Sequence, residues 1–152
     1  MTELRALCSG LGFAKVATYI QSGNVVFQTR SAEARVKAQL ERALERHLGK
    51  PVGVMVRTRE QLQAIVDKNP FTEVAPNRLL ILFLDATPPE DGLKDVSAPG
   101  GEELRLLGRE LFIHFPDGMG KSKLKVPFQK TGTGRNLNTT RKLLQMLDGL
   151  ER

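Results

Sequence analysis

A β-hairpin is predicted by residues 16–28, which read VATYIQSGNVVFQ. Two short runs rich in β-branched and aromatic residues, at 16–20 and 25–28, flank the turn-forming sequence QSGN at 21–24. Helical patterns lie on both sides of the hairpin, and Ser31 is expected to cap the helix that follows it. Because hairpins and helices are mixed in this way, the sequence predicts an α+β fold.

The chain then continues to an expected boundary between two subdomains. Alternating valines predict a strand over Val52–Arg57, and Thr58 with Gln61 forms a capping box for the next helix. That helix ends before a loop rich in Pro and Asn. We therefore expect a first subdomain at residues 1–69, a linker at 70–77 and a second subdomain at 78–152.

A strand, a second hairpin and a final helix are predicted in the second half. Residues 78–84 are almost continuously apolar, which is typical of a central strand covered on both faces. Glu103–Leu107 and Glu110–Phe115 are expected to pair around the turn Gly108-Arg109. Asn138 is the predicted cap of the last helix, and weaker patterns predict short helices near 90–96 and 122–130.

Composition excludes several classes of protein. The 152 residues are 40% hydrophobic and 26% charged, as in an ordinary globular protein, and the net charge is +6. The single cysteine, Cys8, excludes an intrachain disulfide, and two separated histidines argue against a His/Cys zinc site. No apolar run approaches the length of a membrane span. We expect a cytoplasmic protein with no metal and no cofactor.

A basic stretch near the end of the chain has the composition of an anion-binding surface. Residues 116–147 read PDGMGKSKLKVPFQKTGTGRNLNTTRKLLQML and contain no Asp or Glu between Asp117 and Asp148. Seven cations lie there: Lys121, Lys123, Lys125, Lys130, Arg135, Arg141 and Lys142. Glycines, hydroxyls and amides surround these cations and then open a helix, a combination that suits a phosphate group. It is not a Walker loop, because Phe115 stands where that pattern requires its first glycine.

The candidate ligand-binding residues form three groups along the chain. They are Gln21, Ser22 and Asn24 in the hairpin turn, Gly120, Lys121, Ser122 and Lys123 in the basic loop, and Arg135, Asn136, Asn138 and Thr139 at the start of the last helix. The alternative is purely structural: a turn, a solvated basic loop and an ordinary helix cap. His114 is interpreted as a core or sheet-surface residue, because no carboxylate partner or nucleophile is suggested nearby. Cys8 is interpreted as a buried, inert thiol, because it lies on the apolar face of the first helix.

Five short segments resemble domain-of-unknown-function family 1697, a bacterial family of uncharacterised proteins. They are YIQSGNVVF at 19–27, NPF at 69–71, GREL at 108–111 leading to His114, GKSKL at 120–124 and RNLNT at 135–139. The resemblance implies an α+β fold of two small ferredoxin-like subdomains, with mostly antiparallel sheets and packed helices. It implies no established activity.

Two positions depart from the family pattern. Family members usually open with a strand and a loop of the type Arg-Gly-Ile-Asn-Val-Gly-Gly, whereas this sequence begins at the first helix. An unpaired sheet edge is then expected, and such an edge can recruit a second copy as a homodimer. Leu137 stands where the family commonly has tryptophan, so a stacking contact expected from that ring would be missing.

The leading functional hypothesis is binding of a phosphate-bearing partner, either nucleic acid or nucleotide, through the basic C-terminal surface. One Tyr and no Trp disfavour base stacking, so contacts to the phosphate backbone would dominate nucleic-acid binding. An enzyme acting on an anionic small molecule is the first alternative, with Gln21, Ser22 and Asn24 orienting the substrate. A scaffold for another protein is the second alternative. The sequence leaves open whether any reaction is catalysed.

Overall fold

The computed structural model describes residues 2–19, 24–84, 101–118 and 132–150. In chain order the elements are α1 (Thr2–Gly10), β1 (Ala14–Tyr19), β2 (Asn24–Gln28), α2 (Glu33–Leu48), α3 (Arg59–Asp67), a 3-10 turn (Pro76–Arg78), β3 (Leu79–Phe83), β4 (Glu103–Leu107), β5 (Glu110–His114), β6 (Thr133–Asn136) and α4 (Leu137–Leu150). Within these ranges, four helices and two antiparallel sheets confirm the α+β prediction. The short helices predicted near 90–96 and 122–130 lie outside the described residues.

The described chain groups into two compact units. The first holds the residues up to Leu62 together with those from Arg141 onward, and the second runs from Gln63 to Thr140. Because such a grouping does not establish which pieces fold independently, the division expected at residues 70–77 stays a prediction. Within the described ranges, no helix has the length and apolar character needed to cross a membrane.

The hairpin predicted in the first unit is present. Strands β1 and β2 pair antiparallel, with Tyr19 opposite Asn24, and a bulge interrupts the register between Ala14 and Ala17. The core beside this sheet contains the buried residues Cys8, Phe13, Val36 and Leu40. Ser31 does not cap α2: the cap position is Ala32, which makes no side-chain bond, and the Ser31 N–H donates instead to Thr29 Oγ1 at 3.2 Å.

The prediction of a strand over Val52–Arg57 is wrong. This segment has no ladder partner among the described residues, and the Val54 N–H donates to the Glu41 carboxylate at 3.1 Å. A side chain of α2 therefore accepts a bond that a neighbouring strand would have taken. The capping box that follows is confirmed, since the Thr58 N–H donates to Gln61 Oε1 at 2.8 Å and the Gln61 N–H donates to Thr58 Oγ1 at 3.1 Å.

The second unit is built on a four-stranded antiparallel sheet in the order β4-β5-β3-β6. The predicted central strand is confirmed, because β3 lies between β5 and β6. The predicted second hairpin is also present, and Gly108 has φ +64°, which fits the first position of a type II′ turn. One face of the sheet carries a buried cluster of Leu82, Leu84, Leu111, Ile113 and Phe115.

Strand β6 was not predicted from the sequence, because Thr-Gly-Arg-Asn has no apolar alternation. It pairs with β3, placing Gly134 opposite Leu82 and Arg135 opposite Ile81. A Cβ built on Gly132 would lie 3.0 Å from side-chain atoms of Leu82 and Leu84. The absence of a side chain at Gly132 therefore allows the backbone to approach the leucine cluster closely.

Candidate anion site at the start of the last helix

Strand β6 runs directly into helix α4. Asn136 is the last residue of the strand and Leu137, only 1% exposed, is the first residue of the helix. Asn136 Oδ1 accepts a hydrogen bond from the Thr139 N–H at 2.8 Å, and the Asn136 carbonyl accepts one from Thr140 Oγ1 at 3.0 Å. The helix therefore begins at a side-chain cap and a buried anchor.

The cap predicted at Asn138 is wrong, and Asn136 holds that position. Asn138 is already the second residue of the helix, with its side chain exposed. A cap must have its side-chain oxygen one residue before the first helical residue, so that it reaches the N–H groups two or three residues on. The predicted cap lies two residues too late, because no strand ending at Asn136 was expected.

Arg135 lies immediately before this cap. Its side chain is half-buried, and Nη1 donates to the Gly134 carbonyl at 2.7 Å. Burial lowers the pKa of the guanidinium, although an arginine stays charged at neutral pH. Because water is partly excluded, this cation is screened less than an exposed one and attracts a neighbouring anion more strongly.

The first turn of α4 complements the arginine electrostatically. It carries no acidic residue, and the N-terminus of an α-helix has a partial positive charge and N–H groups without intrahelical acceptors. The Asn136 cap uses the N–H of Thr139, which leaves those of the preceding helical residues as the candidate donors. The convergence of Arg135 and the helix N-terminus on one anionic group stays a prediction.

The other predicted ligand residues divide into one that has a structural role and six that are not described. Asn24 is 6% exposed, and its Nδ2 donates to the Tyr19 carbonyl at 3.2 Å, so its amide closes the hairpin. The remaining six lie outside the described residues: Gln21, Ser22, Gly120, Lys121, Ser122 and Lys123. Their convergence with the β6–α4 junction stays a prediction.

A histidine–carboxylate pair was missed by the sequence analysis. Glu103 lies opposite His114 in the β4–β5 register, with Oε1 3.5 Å from Nδ1. That nitrogen is buried and has no hydrogen-bond partner in the described part of the chain, so the contact is weaker than a formed bond. The Phe71 ring lies 5.8 Å from the imidazole, and the Arg105 guanidinium lies 5.7 Å above the Phe71 ring.

This pair could have been found from the hairpin itself. A two-residue turn fixes the register, so once Leu107 is placed opposite Glu110, Glu103 must lie opposite His114. In the described part of the chain, no three His, Cys, Asp or Glu side chains are grouped to hold a metal ion. The prediction of a core thiol at Cys8 is confirmed: it is 0% exposed, and burial raises its pKa.

Comparison with known proteins adds a family and a structural relative. Residues 1–112 match the model of a family described as "Protein of unknown function (DUF1697)", a range that ends before β6. The chain is also similar to the solved structure of the conserved bacterial protein SP0830 from Streptococcus pneumoniae. The two share 27% identity with a TM-score of 0.78, over 97% of this chain and 88% of that one. No curated protein matches the sequence.

Proposed function

The chain belongs to the DUF1697 family of proteins of unknown function, as its sequence resemblance predicted. For this member we propose that a phosphate-bearing partner binds at the β6–α4 junction. The observation that supports this proposal is the position of Arg135. It is a half-buried cation one residue before the cap of α4, and the first turn of that helix has no acidic residue. The proposed partner is a nucleic acid or a nucleotide, and the proposed location of the protein is the cytoplasm.

The side-chain chemistry of the junction favours a phosphate over a neutral ligand. A guanidinium can donate two parallel hydrogen bonds to phosphate oxygens, and helix N–H groups can bind the remaining oxygen. Arg141 and Lys142 are exposed and add positive charge to α4. Lys121 and Lys123 are proposed to supply further cations.

A second copy of the chain is the other partner that we propose. The two-stranded β1–β2 sheet supports this proposal, because it is smaller than an independently stable sheet usually is. This partnership uses β1 and β2, whereas the phosphate proposal uses β6 and the start of α4.

The test of phosphate binding compares two arginine variants on opposite edge strands of one sheet. Labelled single-stranded and duplex oligonucleotides are titrated with the protein across a salt series. Arg135→Ala should weaken binding roughly 10- to 100-fold, because a hydrogen bond to a charged group contributes about 1.5–3 kcal/mol. It should also reduce the slope of log K against log salt by about 1.

Arg105→Ala is the matched control. Arg105 lies on β4, at the other edge of the same sheet, and its substitution changes the net charge by the same amount. Its affinity should stay within about 2-fold of the parent protein, as expected for a charge away from the contact. No binding by the parent protein at low salt, or an equal loss in both variants, would contradict the proposal.

A further inference from the structure

We propose that strand β2 pairs antiparallel with β2 of a second copy, so that a dimer contains one continuous sheet in the order β1-β2-β2-β1. This deepens the proposed partnership with a second copy by assigning its edge and register. It does not depend on phosphate binding. The interface is the outer edge of β2 at Val25, Val26 and Phe27.

The two edges of the β1–β2 sheet differ in how they are protected. Strand β1 has a bulge between Ala14 and Ala17, and Lys15 inside it has φ +52°. Among the described residues, Lys15 is the only non-glycine residue with a positive φ. Bulges and lysines on an edge strand prevent another strand from pairing with it. Strand β2, Asn-Val-Val-Phe-Gln, has neither a charge nor a proline nor a register break of its own.

Both faces of β2 are at least partly covered. Val26 is 5% exposed on one face, while Val25 and Phe27 pack against the core cluster of the first unit on the other face. The Phe27 ring stacks on Phe13, with centroids 4.2 Å apart and an interplanar angle of 5°. Among the described residues, β1 is the only strand that pairs with β2.

The sequence of β2 is self-complementary in an antiparallel register centred on Val26. Val26 then lies opposite Val26 of the partner subunit, and Val25 lies opposite Phe27 of the partner subunit. Directly opposite residues share a face of a sheet, so both copies keep Val25 and Phe27 on their core side. β-Branched and aromatic residues pair favourably across strands, and no like charges meet.

This pairing closes on itself. The interface is the same patch on both subunits, as a two-fold axis requires. The outer edges of the resulting sheet are the two β1 strands, each of which carries the bulge at Lys15. A dimer is therefore the expected end point, because the same edge cannot add a third copy.

Site-directed disulfide trapping tests the register. In Val26→Cys, two sulfurs face each other across the axis, where opposite Cα atoms are about 4.5–5.5 Å apart, within the range that a disulfide spans. Ala17→Cys is the control, since Ala17 pairs with Val26 within one copy but lies on β1. The native Cys8 is buried and is present in both variants. Under mild oxidation Val26→Cys should form covalent dimers and Ala17→Cys should not.

Sedimentation of the unmodified chain tests the dimer without any substitution. With no anion added, the chain should sediment as a dimer whose population rises with concentration. A monomer at every concentration would overturn the proposal. Equal cross-linking of both variants, or cross-linking of Ala17→Cys alone, would overturn it as well. Either result would leave the phosphate site untouched, because the oligonucleotide titration measures that site separately.

Discussion

Replacing Asn136 with alanine removes the side-chain cap of α4 and leaves its backbone contacts in place. The lost interaction is the hydrogen bond from the Thr139 N–H to Asn136 Oδ1, at 2.8 Å. The bond from Thr140 Oγ1 to the Asn136 carbonyl uses a backbone oxygen and survives the substitution. The variant therefore isolates the contribution of one capping bond.

The expected loss is about 1 kcal/mol of unfolding free energy. Truncating a cap residue to alanine costs roughly 0.5–2 kcal/mol. Asn136 is half-buried, so water can partly replace the lost acceptor, and the middle of that range applies. For a chain of this size the melting temperature should fall by about 2–4 °C.

Urea unfolding followed by circular dichroism measures this loss, with Asn138→Ala as the matched control. Asn138 is an exposed residue inside the helix, and its substitution should change stability by less than about 0.5 kcal/mol. If Asn138→Ala cost more than Asn136→Ala, the assignment of the cap to Asn136 would be refuted.

Asn136→Asp separates the stability of the junction from its proposed function. An aspartate keeps an acceptor for the Thr139 N–H and adds a negative charge that the helix N-terminus favours, so stability should be equal or slightly higher. The same carboxylate would repel a bound phosphate. Oligonucleotide affinity should therefore fall while stability does not, and unchanged affinity would argue against an anion at this place.

Two further predictions concern the contact between Glu41 and Val54 and the close approach of the backbone at Gly132. Burial alone would raise the pKa of Glu41, but hydrogen bonds from Lys37 and the Val54 N–H, together with the Lys37 charge, outweigh it and lower that pKa. Because the folded-state pKa lies below the unfolded value of about 4.3, the charged carboxylate stabilises the fold above that value and this stability is lost as pH falls through the folded pKa. Glu41→Gln should therefore cost up to about 1 kcal/mol at pH 7, discounted for a side chain that is 34% exposed, and the cost should shrink as the pH of the urea titration approaches 4. Gly132→Ala should lower the free energy of unfolding by about 1 kcal/mol or more, because its Cβ would crowd Leu82 and Leu84. Gly53→Ala is the control and should leave that free energy unchanged, because its Cβ would meet nothing within 4 Å. Equal effects of the two substitutions in urea unfolding would contradict the close approach at Gly132.

The sequence predicted correctly those elements whose contacts are made between residues close together in the chain. The β4–β5 hairpin is defined by apolar runs around a glycine turn, and the capping box before α3 is satisfied within four residues. Both depend on neighbours in sequence, so no tertiary information was needed. The register of the same hairpin also contained the Glu103–His114 contact, which would have followed from pairing the strands residue by residue.

The elements that sequence reasoning missed depend on partners distant in the chain. Val54 and Val56 do pack against the core of the first unit, so the alternation of Val52–Arg57 indicated the correct packing. Alternation cannot supply a neighbouring strand, however, and the Glu41 carboxylate bonds to this segment instead. Strand β6 shows the opposite error, a strand that is present but was not predicted. Its pairing with β3 depends on Gly132 and Gly134, which lie close to leucine side chains of the sheet.

The candidate site was predictable to the extent that its residues are adjacent in sequence. Arg135, Asn136, Asn138 and Thr139 lie within five positions, and a strand followed at once by a helix keeps them together. Asn24 shares their polar character, but its amide bonds to the Tyr19 carbonyl across the hairpin. Polarity in a turn sequence therefore did not distinguish a ligand-binding amide from one that closes the turn.

Titration of the 15N-labelled protein with inorganic phosphate, followed by NMR, tests the central claim most directly. Binding at the β6–α4 junction predicts saturable shifts of the backbone amides of Leu137 and Asn138 and of the Arg135 side chain. These shifts should be smaller in Asn136→Asp, and the amide of Arg105 should not move. If phosphate causes no saturable shift at the junction, or shifts Arg105 as much as Arg135, the β6–α4 junction is not an anion site.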